Sequence, residues 1–290
     1  MYRFLRTLVI IFILFILFAP VLLLAGDPSK DPFYTEGHPF SIAEQEGVVY
    51  ERIDPFSGYL TLAHTDIFLP GNGGLDLKIM RTYNSCIWGR RDTSFPGLIA
   101  VNERSPLGLG WSMHMGIVRN PYGTGSSNRY LPDNPVVEMP DGSQHVLYKD
   151  KNDSTRFISK DFWIYKSVGS GIWELTLADG TTYTFQYNTS AGYNTLPLYS
   201  FHNEIAQATS IKNPSQTSAI TITYYKYNGY SYLQNITDSI GRNIQFNYDY
   251  AGNTLSSITA AGRNFYYYYQ TITSYKFLNQ ATRPAGNPWT

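Results

Sequence analysis

The chain has 290 residues, of which 15% are charged and 16% aromatic, with 25 tyrosines, and its 22 basic side chains balance 22 acidic ones. That composition excludes a disordered chain, which needs high net charge and few aromatics. It also gives no overall positive field to draw in nucleic acid or another polyanion. A single cysteine, Cys86, excludes an internal disulfide; it reads as a small buried apolar residue.

The first six residues, "MYRFLR", carry Arg3 and Arg6 and lead into the uncharged run "TLVIIFILFILFAPVLLLAG". A positive start, an apolar centre and small residues near Ala25-Gly26 form the pattern of an export signal, and Pro20 within the run suits a cleaved segment. At about 18 apolar residues the run is also long enough for a membrane anchor. Residues 1–25 are therefore expected to be a hydrophobic helix that exports the chain or, if 7–25 is retained, anchors it. The protein is then secreted or held at the cell envelope. Residues 26–46, rich in proline and charge and without periodicity, read as an exposed linker.

From residue 47 the pattern changes to short alternating runs. Leu60, Leu62 and Ile67 precede "LPGNGG", and Leu75, Leu77 and Ile79 follow it, which predicts an antiparallel hairpin around a glycine-rich turn. The segment "SPLGLGWSMHMGIV" predicts a strand at Trp111 entered through a tight glycine corner. Together these make an entry region over residues 47–125. Residues 126–206 hold further hairpins, marked by Asp141-Gly142 and Asp179-Gly180 between alternating runs. The best helix candidate after residue 47 is the short "FHNEIAQAT", so the fold class expected is all-β.

Residues 207–290 contain an internal repeat. Arg242-Asn-Ile244-Gln-Phe246-Asn-Tyr248 aligns with Arg263-Asn-Phe265-Tyr-Tyr267-Tyr-Tyr269 at a step of 21 residues, and Leu233-x-x-Ile236 aligns with Leu255-x-x-Ile258 at 22. A degenerate copy, Ile220-Thr-Ile222-Thr-Tyr224, lies upstream after Ile211. Each unit reads as a hairpin, and a hairpin alone is marginal, so the units are expected to stack. Leu-x-x-Ile breaks the two-residue period of a strand. Its recurrence predicts a bulge in each unit, and a sheet bent at every hairpin curls.

The segment "DSIGRNIQFNYDYAGNTLSSITAAGR" resembles the YD repeat of the Rhs family, through Gly241-Arg242, Tyr248-Asp249, Gly252, Leu255, Ile258 and the following Gly262-Arg263. "DPFSGYLTLAHTDIFLPGNGGLDLKIMRTYNS" with "PLGLGWS" is similar to the entry region of Rhs and Tc-toxin-type shells. The resemblance covers most of residues 47–269. It implies antiparallel hairpins stacked into a curling sheet, a partial β-shell, of the kind whose large members enclose a toxic C-terminal domain. The more distant teneurins use a similar shell in cell adhesion. The chain is accordingly expected to be the N-terminal portion of such a shell, with the repeat series truncated at 290 and its partners, further repeats or a toxin, lying beyond it. With an open last strand, it is also expected to self-associate.

No catalytic, cofactor-binding or metal-binding set emerges from the residues. His38, His64, His114, His145 and His202 lack ligand spacing. Asp54, Asp66, Asp76 and Asp92 could suggest the paired carboxylates of glycoside cleavage, but Asp66 and Asp76 fall beside the first hairpin turn, where capping and turn hydrogen bonds explain them better. Arg242 and Arg263 are expected to stack on repeat aromatics or to pair with Asp238 or Asp249. Within the tyrosine run, Tyr267 and Tyr269 are assigned to the core and Tyr266 and Tyr268 to the opposite face, where they are candidate glycan contacts. The expected function is that of an exported, non-enzymatic structural protein that encloses or presents a toxin or effector. The alternative is a cell-surface carbohydrate-binding or adhesion module using the tyrosine-rich face.

Overall fold

Alternating apolar and polar side chains, interrupted every few residues by glycine or aspartate turns, leave the chain no way to bury its apolar half except as paired strands. The computed structural model describes residues 49–53, 55, 58–85, 105–119, 134–186, 205–227, 230–249, 254–273 and 275–284. The expected N-terminal helix and linker, together with Cys86, Gly252, His38, His202, Asp54 and Asp92, lie outside those residues. Within them the fold is all-β, with one 3₁₀ turn at Asn72–Gly74. Among the described residues no helix is long and apolar enough to cross a membrane.

Strands β1 (Val49–Ile53), β2 (Leu60–Leu69), β3 (Leu77–Asn84) and β4 (Trp111–Ser112) form a four-stranded antiparallel sheet in chain order. The Leu69–Leu77 pair closes the hairpin over the glycine-rich turn. There Asp76 accepts the Gly71 N–H at 2.8 Å, the turn bond expected of it.

Eight further strands close on themselves. They are β5 (Ile117–Arg119), β6 (Val136–Glu138), β7 (Gln144–Lys149), β8 (Arg156–Ser159), β9 (Ile164–Gly169), β10 (Ile172–Thr176), β11 (Thr182–Gln186) and β12 (Ile205–Lys212). Each pairs antiparallel with the next, and β12 returns to pair with β5. Alternation sends Val118, Val137, Leu147, Phe157, Tyr165, Trp173, Leu175 and Phe185 inward, all buried. Tyr165 and Trp173 stack with centroids 4.7 Å apart. A ring of eight strands has an interior just wide enough for side chains to fill, and aromatics fill this one. Periodicity within single strands says nothing about ring closure, so the barrel was not anticipated.

The described part of "FHNEIAQAT", from Ile205 on, is strand and not helix. It belongs to β12, where Ile205, Ala206, Gln207 and Ala208 are all buried. A strand enclosed on both faces loses its alternation, and the remaining apolar spacing imitates a short helix.

β12 is also the branch point. One edge pairs with β11 along most of its length; the other pairs with β5 at Ile205–Gln207 and with β13 at Ser210–Lys212. From there a ribbon continues through β13 (Ala219–Tyr227), β14 (Tyr230–Thr237), β15 (Asn243–Tyr248), β16 (Leu255–Ala260), β17 (Arg263–Ile272) and β18 (Tyr275–Thr282), each antiparallel to the last. The inward face of the ribbon, with Ile236, Ile244, Phe246, Ile258 and Phe265, shares one continuous core with Ile67, Leu69, Leu77 and Ile79 of the first sheet.

The glycine corner before Trp111 holds the far end of the ribbon. The Leu109 N–H donates to the Lys276 carbonyl at 2.8 Å, and the Leu255 N–H donates to Pro106 at 2.7 Å. Gly108 has φ of 84°, and a Cβ there would lie 2.8 Å from the Lys276 oxygen. Glycine is required both for the left-handed backbone and for the approach to β18.

Candidate functional site

The repeated segments share one backbone device. Register slips by one residue at Gln234 in β14, opposite Tyr224, and at Ser256 in β16, opposite Tyr248. These are the two Leu-x-x-Ile sites. The same slip occurs at Thr209 in β12, opposite Phe185, and at Asn279 in β18, opposite Tyr269. The segments Ala208-x-x-Ile211 and Leu278-x-x-Ala281 carry those two, with alanine replacing one of the larger apolar residues, which hid the pattern in sequence.

At three of these four slips the residue opposite is a tyrosine, and it also reaches back to the bulge before it. Tyr224 donates its hydroxyl to the Ala208 carbonyl at 2.7 Å, Tyr248 to Leu233 at 2.9 Å, and Tyr269 to Leu255 at 2.6 Å. Each accepting carbonyl belongs to the residue just before the extra one, where the ladder is locally disrupted. Burial pushes all three hydroxyls well up from their ordinary value, so they keep the proton each bond uses. Replacing Tyr248 with phenylalanine is expected to cost about 1–2 kcal/mol in urea unfolding, because the Leu233 carbonyl loses that donor while the ring still packs. A loss below a few tenths would remove the hydroxyl from this account.

Asp249 completes the unit by accepting the Thr254 N–H at 2.9 Å. Lys276 lies 3.7 Å from the same carboxylate.

Two turns begin the next strands. Gly241 has φ of 86° and Gly262 has φ of 76°, values that favour glycine. In the first turn Asp238 is buried and its carboxylate accepts the backbone N–H groups of Ile240 and Arg242, at 3.1 and 2.8 Å, while pairing with the Arg242 guanidinium. Arg242 also donates to the Pro70 carbonyl, and Ser239 accepts the Asn72 N–H. This turn therefore clamps the ribbon onto the glycine-rich hairpin of the first sheet. Arg263 lies over the Phe265 ring at 5.2 Å.

A second contact between the sheets was missed in sequence. Asp66 is the extra residue of a bulge in β2, between Thr65 and Ile67, and it is buried. It is not a turn residue, because the bulge turns its carboxylate inward. Its Oδ2 accepts the Tyr267 hydroxyl from β17 at 2.8 Å, and its Oδ1 lies 3.0 Å from Arg81 Nε and 2.9 Å from His64 Nδ1. Arg81 is itself set over the Trp111 ring at 5.2 Å.

Two histidines also sit in buried polar clusters. The His145 ring has Nδ1 2.7 Å from Asp161 and Nε2 3.2 Å from Ser143 Oγ, which has the outline of a Ser-His-Asp relay. Ser143, however, is only 2% exposed, and its hydroxyl is 2.7 Å from Asp141 Oδ1 as donor. Its own N–H also goes to Asp141, and the Gly142 N–H goes to the Met139 carbonyl. The hydroxyl proton and the adjacent amides are thus committed to the β6–β7 turn, so none is directed at a substrate oxyanion. Glu138 forms the other cluster, pairing with Arg119 and accepting from His114 Nε2 at 3.1 Å. Burial alone would raise its carboxyl, but Arg119 and His114 hold it at about 2, below its usual 4.5. Among the described residues no group of three His, Cys, Asp or Glu side chains could hold a metal ion.

The tyrosine run divides by face. Tyr267 is 5% exposed and packs inward, whereas Tyr266 and Tyr268 are 44% and 49% exposed on the outer side of β17.

No protein-family model matches the chain, and no curated protein does. Among solved structures it is similar to the N-terminal domain of effector protein SpvB from Salmonella typhimurium strain LT2, at 13% identity and a TM-score of 0.48 over 77% of this chain and 99% of that one.

Proposed function

We propose that this chain is an exported, non-enzymatic structural protein, a wall segment of the Rhs YD-repeat type that encloses or presents a toxin or effector. The observation that carries this reading is the bulge-to-tyrosine linkage, made by Tyr224, Tyr248 and Tyr269 at successive strand pairs. It is a device for extending a bent sheet by one hairpin at a time, and stacking units of this kind are stabilised by their neighbours. In this reading the four-stranded sheet fills the first turn of the wall, and any cargo lies against later turns. The commitment of Ser143 to Asp141 supports a structural role for the His145 cluster.

The test is fractionation of cells that make the protein, followed by affinity recovery and limited proteolysis. The expected result is recovery from the envelope or medium, together with a polypeptide segment that resists protease until the β-wall is denatured. Recovery from the cytosol, or a wall that protects no other segment, overturns the proposal.

A further inference from the structure

Hairpin turns at Met139, Leu177, Asp238 and Ser159 share one backbone form. In each, the first residue donates its N–H to the carbonyl of the fifth (Ser143, Thr181, Arg242 and Trp163) and accepts the N–H of the fourth. The fourth residue is left-handed every time: Gly142 at φ 80°, Gly180 at 90°, Gly241 at 86° and, in the turn between β8 and β9, Phe162 at 62°. That backbone is strained for a residue with a Cβ, and the Phe162 ring, 80% exposed, is not offset by burial.

Such a turn persists only where its surroundings over-determine it. Ser159 Oγ accepts the N–H groups of Asp161 and Trp163, both at 3.1 Å. The Asp161 carboxylate lies 2.7 Å from His145 Nδ1, which ties the tip to β7.

The partners of His145 fix its charge. The Ser143 hydroxyl is donated to Asp141 at 2.7 Å, so its oxygen meets Nε2, 3.2 Å away, as an acceptor. Nδ1 faces the Asp161 carboxylate, which also accepts. Both ring nitrogens therefore carry hydrogen, and that form of the ring is the imidazolium. Its face lies on Trp163 with centroids 3.9 Å apart, where an aromatic ring favours a cation. The charged groups around it are Asp161 from its own tip and, through Ser143, Asp141 from the β6–β7 turn. Glu138, on the strand beside β7, is taken up by Arg119 and His114. Tyr183 of β11, near Asp141, stays neutral because burial pushes its hydroxyl up.

We infer that His145 is a proton-operated latch: its imidazolium pins Asp161 and keeps Phe162 presented on the strained tip, and loss of one proton releases the tip. A neutral imidazole donates at one nitrogen only. One of the two bonds must then go. Asp161 has a side chain 51% exposed and can turn to water, whereas Asp141 is buried and needs the Ser143 hydroxyl. The bond given up is the one to Asp161, and the strained Phe162 backbone relaxes with it. The sign is fixed by the charge: the tip is held while the ring is protonated and loosens as pH rises.

The experiment is limited chymotrypsin digestion of the full chain from about pH 6 to about pH 9, the range in which a histidine latch can act. The rate of the cut after Phe162 is divided by the rate at the same bond in a free peptide of residues 157–167 at each pH. The normalised rate is expected to rise about five-fold across the range, as the open tip becomes more populated. His145→Gln keeps a donor for Asp161 but does not titrate, so its profile is expected to be flat. Nitrogen-15 spectra of histidine-labelled wild type give a reading that needs no variant to fold, with His145 identified by its contact with the Trp163 ring. Both of its ring nitrogens are expected to carry hydrogen at about pH 6 and only one at about pH 9. A flat wild-type digestion profile, the same rise in folded His145→Gln, or a His145 ring already singly protonated at the lower pH overturns the inference.

Discussion

Replacing Asp66 with alanine is expected to lower the unfolding free energy by about 3–5 kcal/mol, the range seen when one partner of a buried ion pair is removed. The loss comes from what remains. Arg81, with its side chain 11% exposed, keeps its charge beside a cavity where the carboxylate stood, and the Tyr267 hydroxyl, donated from the other sheet, loses its acceptor. Tyr267→Phe removes the second term alone and is expected to cost about 1–2 kcal/mol. Asp66→Asn keeps an acceptor for Tyr267 but leaves Arg81 unneutralised, so it should fall between the two. Urea unfolding followed by tryptophan fluorescence, with Trp111 close to Arg81, measures all three. If Asp66→Ala cost less than about 1 kcal/mol, the pin between the sheets would have no energetic weight.

Much of this architecture was legible because it is local. The Asp-Gly and Gly-Arg turns, the alternation in β13–β17 and the division of Tyr266 and Tyr268 from Tyr267 all follow from a two-residue period bounded by turn residues. The Leu-x-x-Ile bulges were legible for the converse reason: they interrupt that period at the same place twice. What could not be read depends on distant partners. Closure of the barrel rests on β12 meeting β5, nearly 90 residues away in sequence, and no spacing within either strand encodes it. Asp66 looked like a turn residue because it stands four positions before Pro70 in a polar-tolerant context. A signal was present in Thr65-Asp66-Ile67, where an extra polar residue shifts Ile67 out of phase with Leu60 and Leu62, as the later bulges do. The Ser143 and Glu138 clusters had no such signal, since Asp161 lies in the turn between β8 and β9 and His114 between β4 and β5, and each meets its partner on another strand only in the folded chain.

Acid should destabilise the protein partly through Glu138, and the sign follows from its environment. Its carboxyl is held at about 2 in the folded chain, against 4.5 ordinarily, so the folded state binds its proton less readily than the unfolded state. The stabilisation is fully present above about pH 4.5 and is lost as pH falls from there through about 2. A displacement of that size corresponds to something on the order of 3 kcal/mol. Glu138→Gln removes the titration and, at neutral pH, leaves Arg119 buried without this carboxylate, a loss expected at about 3–5 kcal/mol. Below pH 3 the wild-type Glu138 is itself approaching neutrality, so the gap between wild type and variant should close as the pH approaches 2. Stability measured in urea at steps between pH 7 and pH 2 gives the two curves. Other carboxylates titrate in both proteins and cancel in the difference, so curves that stay parallel through this window would show that Glu138 is not held ionised by Arg119 and His114.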